Sequence, residues 1–211
     1  MSDLIFETRV CNGCGLRYPL QQGHAFGERC PHCLGETQVL VSKIIRDEER
    51  MIEKPFLKKK GIRAVLLDNI RSAWNVGSIL RSADGFGFDH VYLCGITPTP
   101  DHDSVSKTSL GAEEYLPWSH HKDAVRLIAG LKKEGWQVIA LEEGAGAKDI
   151  RGVKQITAEK SVLLLGSEVS GVDPDLLALS DEIFSIAMLG QKRSLNVAIA
   201  FSVAAFALSG K

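Results

Sequence analysis

From Ile62 onward, apolar and polar positions alternate between two periods. Ala64 to Leu67 is a short continuous apolar run, as expected of a parallel strand buried on both faces. Val76, Ile79, Leu80 and Ala83 then recur at helical spacing. The same patterning predicts strands at His90 to Cys94, Gln137 to Leu141, Val162 to Leu165 and Ile183 to Ile186, with helices over about 121–133, 174–180 and 194–209. This order predicts an α/β fold with a mostly parallel sheet over residues 61–211. The last helix is apolar on almost every face, so it is expected to be buried on two sides, against the sheet and against a partner helix. Two polar turns follow buried strands: one carries Glu168, the other Ser194 and Asn196. Loops at the carboxyl ends of parallel strands are where ligands bind in such sheets.

Upstream the pattern changes twice. Residues 43–60 (KIIRDEERMIEKPFLKKK) read as a charged helical linker stopped before Pro55, with Lys58 to Lys60 as a phosphate-contact candidate. Residues 1–42 form a small module that contains four of the five cysteines. Cys11 and Cys14 form one C-x-x-C, Cys30 and Cys33 another, with 15 residues between the pairs. This is the two-knuckle spacing of a tetrahedral zinc site, and it predicts a zinc-ribbon-like module with structural Zn2+. Paired disulfides are the other reading, disfavoured in a reducing compartment. His24 and His32 are expected to face solvent. Arg9, Arg17, Arg29, Tyr18 and Phe26 offer charge and stacking faces to RNA. Cys94, on an apolar run, reads as a buried small hydrophobe.

Composition narrows the classes. Of the 211 residues, 45% are hydrophobic and 24% charged, which fits a globular protein of one α/β domain plus a small module. The longest apolar stretch, Val197 to Leu208, is too short to span a bilayer, so no membrane association and a cytoplasmic location are expected. The net charge of −1 argues against a wholly basic nucleic-acid binder. Residues 1–60 hold 10 Lys/Arg against 8 Asp/Glu, and residues 61–211 hold 15 against 18, so any RNA footprint must be a local patch.

The loop after the first strand of the large domain, DNIRSAWNVGSILRSADGFGF, places Asn75 as a helix cap and Gly77 where another backbone approaches closely. Arg81 lies about 140° around the helix from Val76 and so leaves the apolar stripe. It either points towards the strand-end loops or pairs with Asp84. No G-x-G-x-x-G or P-loop follows any strand, which argues against a phosphate-loop enzyme.

Three segments, NVGSILRSADGFG, LLLGSEVSGVD and IAMLGQKRSLNVAIA, in this order resemble the motifs of the SpoU (TrmH-type) RNA methyltransferases, and KTSLGAEEYLPW resembles the segment before their middle helix. The resemblance covers about residues 61–209. It implies a SPOUT domain with a C-terminal trefoil knot, a homodimeric active site, and methyl transfer from S-adenosylmethionine to a ribose 2′-hydroxyl of tRNA or rRNA. On this sequence the implied catalytic set is Asn75, Arg81, Glu168, Ser194 and Asn196. The implied cofactor set is Gly166, Ile186, Met188 and Leu195, with Leu141 at the pocket edge. Ala187 departs from the family, which usually has proline there. A guanidinium with a pKa near 12.5 is costly to deprotonate at neutral pH, so Arg81 is expected to act as a charge and hydrogen-bond donor. The alternative is a non-catalytic RNA-binding protein on the same fold.

Overall fold

A computed structural model of the chain describes residues 4–45, 61–144, 146–153, 156 and 158–209. They fall into two compact units, within Met1–Leu57 and Lys58–Lys211.

The first unit is a three-stranded antiparallel sheet of β1 (Leu4–Cys11), β2 (Arg17–Gln21) and β3 (Thr37–Ile45), in the order β2-β1-β3. Among its described residues only Glu7, Cys11 and Cys30 are buried. An apolar core is therefore absent from the part described, and two of its three buried residues, Cys11 and Cys30, belong to the cysteine cluster. Lys43 to Ile45, assigned from sequence to a helical linker, instead complete β3 through pairing with Leu4, Ile5 and Phe6. Apolar Ile44 and Ile45 suit a strand as well as a helix when read locally. The rest of that linker, and Lys58 to Lys60, lie outside the described residues.

The second unit contains β4 (Ile62–Asp68), α1 (Ala73–Gly85), β5 (His90–Cys94), α2 (Asp103–Ser109), α3 (Ala112–Tyr115), β6 (Trp118–His121), α4 (Ala124–Lys133), β7 (Gln137–Leu141), β8 (Lys148–Asp149), β9 (Lys160–Leu165), α5 (Pro174–Leu179), β10 (Glu182–Ser185) and α6 (Val197–Leu208). Seven strands form one sheet in the order β6-β5-β4-β9-β7-β10-β8, and every pair is parallel. Because side chains alternate across a strand, each apolar run feeds two cores. Val65, Leu67, Leu163 and Leu165 pack with α1 and α6 on one face, while Ala64, Leu66, Val162 and Leu164 pack with α4 and α5 on the other. Cys94 is fully buried, and burial pushes its thiol up to about 12, so it serves as packing.

Local chemistry sets the helix ends. Ser72, and not Asn75, caps α1 by accepting from the Asn75 amide. Asp123 caps α4, so that helix starts three residues later than the patterning suggests, and His121 closes the short polar strand β6. Asn196 caps α6, accepting from the Ala198 and Ile199 amides at 2.9 and 3.4 Å, which leaves Ser194 in the preceding loop. Gly77 does what its position predicts. A Cβ there would lie 2.0 Å from Thr108 Oγ1 and 2.3 Å from the Val105 carbonyl, so α1 and α2 meet backbone to backbone.

Candidate functional site

Strands β7, β9 and β10 end beside one another, and their following loops, with the start of α1, enclose a cavity of about 920 Å³. All five residues expected at the cofactor, Leu141, Gly166, Ile186, Met188 and Leu195, line it. So do Asn75, Glu168, Ser194 and Asn196 from the expected catalytic set. Arg81 does not. It lies on the exposed side of α1, six residues beyond Asn75 and so about 9 Å further along the axis. The alternative pairing with Asp84 is not formed either.

Glu168 organises the mouth of the cavity. Its carboxylate accepts from the Arg71 amide at 2.9 Å, the Ser72 amide at 3.2 Å and the Asn75 carboxamide at 2.8 Å. The Asn75 carboxamide oxygen in turn accepts from Asn196 Nδ2 at 2.9 Å. One chain of hydrogen bonds thus joins the turn after β9, the N-terminus of α1 and the N-terminus of α6, from segments up to 121 residues apart. Partial burial pushes the Glu168 carboxyl up. The Arg71 amide, the Asn75 carboxamide and the Ser72 amide outweigh that and hold it below its ordinary value, so the carboxylate is ionised at neutral pH. Asn75 is displaced from the capping role expected of it because Ser72 fills that role. Its side chain is left to bridge Glu168 and Asn196.

The turn itself is closed by the Gly171 amide donating to the Ser167 carbonyl at 2.9 Å. Gly166 has no room for a side chain, since a Cβ there would lie 2.2 Å from the Gly171 carbonyl oxygen. The cavity wall combines apolar side chains from Leu141, Ile186, Met188 and Leu195 with main-chain groups of these turns. That combination suits a nucleoside-like ligand whose base is sandwiched and whose edges are read by amides and carbonyls. Arg71, Glu142 and Glu143 also line the cavity but are not in the set expected from sequence. Arg71 lies four residues before the first motif and Glu142 directly after the predicted strand Gln137 to Leu141, outside every motif; the order of the strand ends in the sheet, which no local pattern reveals, brings them in.

In the first unit the Sγ atoms of Cys11, Cys14, Cys30 and Cys33 all lie within 4.8 Å of one another. The Cys11–Cys33 and Cys14–Cys30 separations are 3.4 and 3.7 Å, close to the roughly 3.8 Å edge of a tetrahedron with about 2.3 Å Zn–S bonds. The Gly13 and Cys14 amides point at Cys11 Sγ and the His32 amide at Cys30 Sγ, the arrangement that stabilises thiolates. The Cys14 amide is the main reason the Cys11 thiol falls to about 6, while at Cys14 the Leu16 main-chain hydrogen bond is outweighed by the neighbouring sulfurs, Cys33 foremost, which push that thiol up to about 12. Gly35 lies close against the cluster, where a Cβ would sit 3.2 Å from the sulfurs of Cys11 and Cys33 and crowd them. His24 and His32 are exposed, as expected, and His24 caps a short turn through Phe26. Two residues expected to be available to RNA are engaged: Arg9 binds Glu7 and Thr37, and the Tyr18 hydroxyl donates to the Phe26 carbonyl.

Comparison with known proteins places this geometry. Residues 63–206 match the SpoU rRNA Methylase family. A tRNA (guanosine(18)-2′-O)-methyltransferase of Thermus thermophilus is 31% identical over 157 residues, covering 74% of this chain and 79% of that protein. The 23S rRNA (guanosine(2553)-2′-O)-methyltransferase RlmP of Bacillus subtilis is 29% identical, covering 70% of this chain and 58% of its own length. The AdoMet-bound rRNA methyltransferase of Sinorhizobium meliloti superposes with a TM-score of 0.66 at 29% identity, covering 71% of this chain and 56% of that one. With its parallel sheet, strand-end cavity and three ordered motifs, the chain belongs to the SpoU rRNA methylase family.

Proposed function

We propose that the chain transfers the methyl group of S-adenosylmethionine to a ribose 2′-hydroxyl of a transfer or ribosomal RNA. The observation that carries this is the cavity, in which nine of the ten residues expected from the motifs converge. Its walls fit the cofactor: Leu141, Ile186, Met188 and Leu195 would supply apolar surface for the adenine, and main-chain groups at Gly166 and Leu195 would supply its polar contacts. The bound cofactor supplies an activated methyl group on a sulfonium. The chain's own residues align the acceptor and exclude water. Glu168 holds the α1 N-terminus and Asn75, Asn75 holds Asn196, and Ser194 stands free in the loop beside them to meet the acceptor nucleotide.

Arg81 enters through a homodimer in this reading. Helix α6 buries Ala198, Phe201, Ala204, Ala205 and Leu208 and leaves Ile199, Val203 and Phe206 exposed, Phe206 by 72%. Such a stripe favours burial against a second copy. Helix α1 lies beside it, with Ser82 and Ser202 hydroxyls 3.1 Å apart, so Arg81 borders the same face. A partner's Arg81 then serves the pocket, as a fixed cation that orients ribose and phosphate. The SPOUT trefoil knot belongs to the same reading. The four thiolates of the first unit would hold one Zn2+ as a structural ion, in a zinc-ribbon module that extends through β3 to Ile45, joined to the methyltransferase domain over 61–211. A cytoplasmic location accords with an RNA substrate; among the described residues no helix is long and apolar enough to cross a membrane.

The test is incubation of the full chain with labelled S-adenosylmethionine and total RNA, followed by mapping of ribose methylation. Label at a 2′-oxygen supports the reading, and binding of RNA without transfer would favour a non-catalytic RNA-binding protein. Mixing tests the trans role. Arg81→Ala and Glu168→Ala homodimers should each be inactive, while a re-equilibrated equal mixture recovers about a quarter of wild-type activity from its heterodimers. No recovery would place Arg81 in its own chain's site.

A further inference from the structure

The turn that carries Glu168 and Gly166 is held by a second carboxylate that the motifs do not contain. Glu142 follows β7. Its own amide donates to the Phe184 carbonyl at 2.9 Å, which extends the β7–β10 pairing by one bond. Its Oε1 accepts from the Glu143 amide at 2.9 Å, and its Oε2 accepts from the Val172 amide at 2.6 Å. The carboxylate lies against Gly171, where a Cβ would sit 2.5 Å from Oε2 and where φ is +73°. Gly171 and Val172 close the turn at its far end, Gly171 by donating to Ser167. Val172 is buried in the core beneath α4 and α5.

We propose that Glu142 is a positioning residue that latches the Gly166–Val172 turn to the ends of β7 and β10. The inference rests on the cofactor reading above. A turn of seven residues needs both ends fixed to present one conformation. Gly166 fixes the first by close approach to Gly171 and Val172, and Glu142 fixes the second by a charge-assisted hydrogen bond to a main-chain donor. Without the latch, the Gly166 main-chain contact proposed for the cofactor and the Glu168 hold on Arg71, Ser72 and Asn75 loosen together, although Glu142 makes no hydrogen bond to Glu168. Gly171 is glycine in this account partly because any side chain there would displace the Glu142 carboxylate.

The experiment uses the full chain with Glu142→Ala and Glu142→Gln. Amide exchange is measured without ligand, S-adenosylhomocysteine and its 2′-deoxyribose analogue are titrated by calorimetry, and kcat and KM are measured with RNA. Loss of one charge-assisted bond predicts roughly tenfold or more faster exchange at Gly171 and Val172 in Glu142→Ala, with weaker ligand binding and a raised KM for S-adenosylmethionine. It also predicts a lower kcat, because Glu168 moves. Glutamine can still offer its carbonyl oxygen to the Val172 amide, but its NH2 then faces the Glu143 amide and the charge is lost, so Glu142→Gln should recover all four quantities in part, between Glu142→Ala and wild type. Unchanged exchange in Glu142→Ala would overturn the latch, as would a Gln variant as impaired as Ala. A binding loss that vanishes with the 2′-deoxy analogue would also overturn it, because it assigns Glu142 to direct ribose contact. If wild type binds neither ligand, the cofactor reading fails, and the exchange measurement still decides the latch.

Discussion

Replacing Glu168 by glutamine preserves size and removes one acceptor and the charge. In the folded chain Oε1 serves the Ser72 amide and Asn75 Nδ2, while Oε2 serves the Arg71 amide at 2.9 Å. A Gln carbonyl can take over the first pair, but its NH2 then faces the Arg71 N–H, donor against donor. A mispaired main-chain donor costs about 1–3 kcal/mol, and the exposure of Glu168 lets water recover part of it, which leaves about 1–2 kcal/mol. For a unit of this size 1 kcal/mol moves the midpoint by roughly 2–4 °C, so Glu168→Gln should unfold about 2–8 °C lower in calorimetry. Glu168→Ala frees Asn75 as well and should fall further, with a larger loss of turnover than of cofactor affinity. An alanine variant that melts within about a degree of wild type and methylates RNA at an unchanged rate would refute the reasoning.

Other perturbations act through particular contacts. The Glu168 carboxyl is held below its ordinary value of 4.5, so its stabilising contribution is present above that value and lost as pH falls through the lower folded one; the slope of the midpoint below pH 4.5 should be shallower in Glu168→Gln than in wild type. Gly77→Ala places a Cβ 2.0 Å from Thr108 Oγ1 and 2.3 Å from a carbonyl oxygen, and should destabilise the large unit by about 1–3 kcal/mol in urea unfolding. Because only Glu7, Cys11 and Cys30 are buried among the described residues of the first unit, chelation or Cys14→Ser should unfold that unit and leave the midpoint of the second in place, read by segment-resolved amide exchange. Phe206→Asp puts a charge in the exposed stripe of α6 and should shift sedimentation towards monomer, with loss of methylation and retention of the fold.

The apolar patterning was enough to predict a parallel sheet. β5 and β7 begin and end where the apolar patterning places them, β7 because Val138 to Ala140 are buried in succession and β5 because Val91, Leu93 and Cys94 are buried. The cysteine spacing likewise predicted the four-sulfur cluster, since ligand geometry is local and two knuckles are enough to specify it. β6 was illegible: a four-residue edge strand reading WSHH has no apolar run to betray it and is held by main-chain pairing with β5. The strand order, with β9 inserted between β4 and β7, was also beyond local pattern, and that order sets the turn after β9 between the ends of β7 and β10 and the start of α1. Asn75 shows the difference within one residue. Its type and place near a helix start predict a cap, yet Ser72 takes that role and long-range packing gives Asn75 to Glu168 and Asn196. Residue type and spacing identify which side chains are equipped for the chemistry. That Arg81 stands outside its own chain's cavity, and that Glu142 reaches the turn after β9, follow only from packing, because both depend on where chain segments far apart in sequence end in space.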